Sequence, residues 1–124
     1  MPALHHVALG ARNVASVAGF YRDLFGLEEI RRQGGIGEGL RSIWLGLGDA
    51  ILMIEHTDEP SRAVDGVGAG PFLIALRVSP SERRTLEADL GRHGHVVESR
   101  TAYTSYFRDP EGNRVAISHY PEEP

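Results

Sequence analysis

Six histidines, His5, His6, His56, His93, His95 and His119, are the side chains best suited to metal or acid–base chemistry in this chain. There is no cysteine, so thiolate metal sites, disulfide frameworks and cysteine nucleophiles are excluded. All 13 basic residues other than histidine are arginine, a side chain suited to pairing carboxylates and phosphates. Two other chemical motifs fail on context. Gly35-x-Gly37-x-Gly39 has no strand-to-helix setting and no following Gly-Lys-Ser/Thr, so it reads as a flap and not as a phosphate loop. Ser81 and Ser105 sit in no nucleophile motif.

Composition bounds the partners. A net charge of −4 offers no basic field for nucleic acid. The apolar runs fall far short of the ~20 residues that cross a bilayer, so no membrane partner is expected. Met1-Pro2-Ala3-Leu4-His5-His6 has neither a charged nor a long apolar region, so the expected location is cytoplasmic. A chain of 124 residues is one domain's worth.

The elements that must position these residues come in two similar series. Residues 4–11 read as a strand and 14–27 as a helix, with Val14, Val17, Ala18, Tyr21, Leu24 and Phe25 on one face. Asn13 is its expected N-cap and Gly26 its stop. A strand starts over 28–32, and 33–39 reads as a glycine-rich loop. Residues 40–47 and 50–56 form a hairpin about Gly48-Asp49, which pairs Leu47 with Ala50, Leu45 with Leu52 and Ile43 with Ile54. A polar linker spans 57–70.

The order then repeats. Residues 72–78 read as a strand. Ser79-Pro80-Ser81-Glu82 reads as a capping box opening a helix to about Arg92, stopped at Gly94. Residues 95–99 read as a strand, and 103–108 with 113–119 as a hairpin around Asp109-Pro110-Glu111-Gly112. The tail from Pro121 is expected to fray. The whole is thus one domain over 1–124: module one about 4–56, the linker, and module two about 71–120.

This order, with LHHVALGARNVASVAGFYRDLFGLEE near the start and YFRDPEGNRVAI near the end, resembles the vicinal oxygen chelate superfamily over residues 4–120. That group holds glyoxalase I, fosfomycin-resistance enzymes, methylmalonyl-CoA epimerase, extradiol dioxygenases and bleomycin-resistance proteins. The resemblance implies an α+β fold of two βαβββ modules, whose strands make a cup-shaped mixed sheet with helices outside and a small-molecule ligand inside. It also implies a homodimer. Four inward strand positions hold the metal in the metal-dependent relatives, and here they read His6, Met53, Leu73 and Ala116. Only His6 can ligate a hard divalent ion, since thioether, isobutyl and methyl groups are no substitute for N or O donors. No metal cofactor is therefore favoured. A divalent ion would need a non-standard site using Glu55, which shares a face with Met53.

The other histidines have structural readings. His5 points away from His6 as a partly buried packing residue, His56 alternates away from Glu55, and His93 and His95 flank a helix end. Alternation leaves a candidate ligand lining of His6, Trp44, Met53, Glu55, Leu73, Arg77, Thr104, Tyr106 and Ala116, apolar with a few polar tips. Trp44 and Met53 could equally pack on each other and close the cup, and Arg77 could be a solvated rim charge. The favoured reading is a metal-independent protein of the bleomycin-resistance type, sequestering an apolar or aromatic molecule. The alternative is a glyoxalase-, epimerase- or dioxygenase-like enzyme with acid–base candidates His6, Glu55 and Tyr106.

Overall fold

A computed structural model describes residues 1–35, 39–62 and 64–124. The chain divides into two compact units, Met1–Ser61 and Arg62–Pro124, and the division falls inside the polar stretch 57–70. No helix among the described residues is long and apolar enough to cross a membrane.

The first unit holds β1 (His6–Ala11), α1 (Val14–Phe25), β2 (Glu29–Gly35), β3 (Gly39–Leu47) and β4 (Ala50–His56). Helix α1 begins where the Asn13 side chain accepts from the Ser16 N–H. It ends at Gly26, whose φ of 65° lies where a Cβ would be strained. Its buried face is Val14, Val17, Ala18 and Tyr21. The strands form a mixed sheet in the order β1-β4-β3-β2. The β3–β4 hairpin has the expected register, with Leu47 opposite Ala50, Leu45 opposite Leu52 and Ile43 opposite Ile54. Ile43, Leu45, Leu52 and Ile54 are fully buried on the face that α1 covers. Each such side chain contributes about 1.5–3 kcal/mol of burial.

One expectation is corrected here. Gln33, Gly34 and Gly35 belong to β2, and β3 already begins at Gly39, so most of the expected 33–39 loop is paired strand. Register shifts beside Gln33 absorb the glycines without ending the ladder. The flap expected over Gly35-x-Gly37-x-Gly39 falls largely on residues 36–38, outside the described residues.

The second unit holds β5 (Ile74–Arg77), α2 (Pro80–Arg92), β6 (Ser99–Arg100), β7 (Thr104–Arg108) and β8 (Arg114–Ser118). The capping box is formed: Ser79 Oγ accepts from the Glu82 N–H at 3.1 Å and Glu82 Oε1 from the Ser79 N–H at 2.8 Å. Those bonds to the Ser79 backbone and side chain hold the Glu82 carboxyl below its usual range. The sheet order is β5-β8-β7-β6. Phe107, Val115 and Ile117 are buried on one face, with Leu86 and Leu90 of α2 also buried.

Two further expectations fail. The strand expected over 95–99 shrinks to Ser99 and Arg100, because only these pair with β7. The tail is tied down, not frayed. The Glu122 N–H donates to the His119 carbonyl at 2.7 Å, and the Tyr103 hydroxyl donates to Glu123 at 2.6 Å. That carboxylate raises the Tyr103 hydroxyl above its ordinary value.

Candidate functional site

Cross-strand register builds the open face of the first sheet row by row, opposite the face that α1 covers. Ala8 lies beside Met53, Met53 opposite Trp44, and Trp44 opposite Arg31. The next row is Gly10, Glu55, Ser42 and Gln33. Trp44, Met53 and Glu55 are half-buried, whereas Ser42 is fully buried. The Arg31 guanidinium carbon lies 5.1 Å from the Trp44 ring centroid, in cation–π range. The Gln33 amide, assigned with its oxygen toward Arg31, accepts from Nε at 3.1 Å and Nη2 at 3.0 Å. The Trp44 indole Nε1 is buried and has no hydrogen-bond partner, the one such side-chain atom among the described residues. Arg31 was absent from the expected lining. Its place opposite Trp44 depends on the β2–β3 register, and the bulges in that ladder hide the register from the sequence.

His6 stands on the same face one row beyond Ala8, beside Ile51. It is exposed, and its Nδ1 lies 2.8 Å from Nδ1 of His5. The two rings meet edge to face at 5.1 Å. His5, expected to be partly buried, is exposed as well, because β1 begins only at His6 and nothing in the strand covers the preceding residue.

The register also parts His6 from Glu55. His6 pairs with Ile51 and Gly10 with Glu55. Four strand residues at ~3.3 Å each separate them by about 13 Å. The two therefore cannot share one ion or one substrate atom, which corrects the non-standard metal site built on both. Among the described residues no three His, Asp or Glu side chains converge to hold a metal. The family's four ligand positions fit an ion no better: Met53 offers a thioether, Leu73 is half-buried hydrocarbon, and Ala116 is fully buried with no donor.

The second unit brings together most of its expected residues. Ala75, Ala116 and Tyr106 form one row of its sheet, and Arg77, Ser118 and Thr104 the next. The Thr104 hydroxyl donates to Ser118 Oγ at 2.8 Å. The Arg114 guanidinium carbon sits 4.7 Å from the Tyr106 ring centroid. Leu73 lies just before β5. Arg77 is exposed at a surface hollow of about 320 Å³ that Ser79, Glu82, His119 and Glu122 also line.

The opposite face carries a polar network that sequence reasoning missed. Ser105 and His119 are buried, at 0% and 3% exposure. Ser105 Oγ accepts from Arg83 Nε and donates to Glu87 Oε2, both at 2.8 Å. Burial would raise the Glu87 carboxyl. Hydrogen bonds from Arg100 and Ser105, with the charges of Arg100 and Arg83, outweigh it and hold the group below its usual range. The one local clue was the i,i+4 spacing of Arg83 and Glu87 on α2. Of the remaining histidines, His56 Nε2 meets Asp58 at 3.0 Å and His93 Nδ1 meets the Asp89 carbonyl at 2.8 Å.

Solved structures share this fold. A lactoylglutathione lyase from Agrobacterium tumefaciens is 23% identical, with 95% of this chain and 93% of that one covered at a TM-score of 0.73. A glyoxalase/dioxygenase from Nostoc punctiforme is 20% identical, with 97% and 92% covered at 0.78. An oxidase, ChaP-H2, is 19% identical, with 97% and 94% covered at 0.76. At these identities the likeness concerns the fold alone. No curated protein matches the chain. The model of one family spans residues 3–117, nearly the whole of both units, and the chain belongs to that family, the Glyoxalase/Bleomycin resistance protein/Dioxygenase superfamily.

Proposed function

We propose that this protein binds a small apolar or aromatic molecule without a metal ion and acts by sequestration, as bleomycin-resistance proteins do. The observation that carries this is the half-buried Trp44–Met53 pair on the open face of the first sheet. It is a soft, polarizable surface where a chelating relative would place a carboxylate. On the second sheet Tyr106 and Thr104 offer a similar mixture beside the buried Ala116, with Arg77 on the neighbouring β5 and Leu73 just before it. By its resemblance to the family we also propose a cytoplasmic homodimer, for which light scattering should give twice 13.6 kDa.

Trp44 is the sole tryptophan, so its indole N–H gives a single, isolated signal in a ¹⁵N-correlated spectrum. Naphthalene-based probes should move that signal saturably in protein purified without added metal, and elemental analysis should find far less than one ion per chain. Tightly held stoichiometric metal, or an indole signal that no such probe moves, would refute the proposal.

A further inference from the structure

The first sheet presents an unfilled hydrogen-bond donor beside an uncompensated charge. Adjacent residues of β2 make the contrast. Arg32 pairs with Glu29 at 2.7 Å, which itself holds that carboxyl low. Arg31, on the opposite face, makes no ion pair among the described residues and is held only by the Gln33 amide oxygen and the Trp44 ring. Beneath it the Trp44 indole N–H is buried, and no group among the described residues accepts from it. An N–H is a donor only, so what satisfies it is a lone pair. A buried donor left unpaired is costly, and a partner that supplies an acceptor recovers that cost on binding.

We propose that the ligand of this face is an apolar carboxylic acid. Its carboxylate accepts from Trp44 Nε1–H and is neutralised by Arg31, and its hydrocarbon body lies along Met53 and Ala8. This rests on the small-molecule reading above and adds the head group to it. Arg31 is exposed and sits over the ring face, and a long arginine side chain can turn from there toward an anion at the ring. Glu55 faces the same side one row away and sets the orientation, since its negative charge repels the head group toward Arg31. The exposed His6 lies at the far end of β1 from Glu55, one row beyond Ala8.

Two probes of equal shape and opposite charge decide the matter: 2-naphthoate and 2-naphthylmethylammonium, titrated against ¹⁵N-labelled protein. We expect naphthoate to bind about 10-fold more tightly, the factor that one recovered hydrogen bond of this kind supplies. It alone should move the indole N–H signal downfield. Arg31→Gln and Trp44→Phe should each erase the preference while leaving ring binding measurable, and Glu55→Gln should tighten naphthoate several-fold. Equal binding of the two probes, or tighter binding of the ammonium, overturns the carboxylate assignment but leaves the aromatic-binding function standing. Binding of neither overturns both.

Discussion

The Arg83 guanidinium faces the buried His119 ring, with Nη1 3.1 Å from Nε2. Arginine has no lone pair to offer, so in this contact Nε2 is the acceptor and Nδ1 is left as the ring's donor. That donor meets the Glu122 carbonyl at 2.5 Å, which ties the chain end to the fold. The other Arg83 donors reach Ser105 Oγ and the carbonyls of Thr101, Ala102 and Thr104 at 2.8–3.0 Å, so all five are used.

Replacing Arg83 leaves those acceptors unpaired together. Arg83→Met should lower stability by about 2–3 kcal/mol in urea unfolding, since it leaves the buried Ser105 and His119 without this partner. Arg83→Lys should restore little of it, because an ammonium cannot span the same fork. A midpoint for Arg83→Met within error of the parent would show the network to be passive.

Glu87 gives a pH dependence of known sign. Its carboxyl is held below the ordinary value of 4.5, so the folded state favours its charged form. The resulting stability is fully present above the unfolded value and is lost as pH falls through the lowered folded one. Glu87→Gln should therefore lower stability at neutral pH, by about 0.5–1 kcal/mol once solvent screening of this partly exposed group is counted. The gap to the parent should close as pH falls below 4.5, a convergence that denaturant melts at several pH values would reveal or exclude.

Asp109 organises the hairpin turn of the second unit. Oδ1 accepts from the N–H groups of Glu111 and Asn113, both at 2.9 Å, and Oδ2 from the Asn113 amide at 2.8 Å. At 4% exposure water cannot take over these roles. Asp109→Ala should cost about 2–4 kcal/mol. Asp109→Asn should fall between, since it keeps one acceptor and sets its amide against that of Asn113. Equal thermal midpoints for the two variants would contradict this account.

Two glycines should respond to alanine with opposite signs. At Gly34 φ is 152°, and a Cβ would come within 2.6 Å of the Gly39 carbonyl oxygen. Gly34→Ala should destabilise by about 1–3 kcal/mol. Gly91, near the end of α2, has nothing within 4 Å of an added Cβ, so Gly91→Ala should stabilise by about 0.5 kcal/mol. Paired thermal melts test both.

What the sequence by itself determined was local. Asn13, Gly26 and the Ser79–Glu82 box mark helix ends because capping bonds reach only three or four residues. The Gly48-Asp49 turn sets the β3–β4 register because a two-residue loop leaves no slack, and alternation then puts Trp44 beside Met53. Tertiary structure decided what depends on distant pairing. The parallel β1–β4 ladder joins strands 45 residues apart, as in His6 with Ile51, and that alone parts His6 from Glu55. Bulges in β2 decide that Arg31 lies over Trp44. The burial of His119 against Arg83 crosses 36 residues, and no spacing rule reports which polar groups will meet once water is excluded.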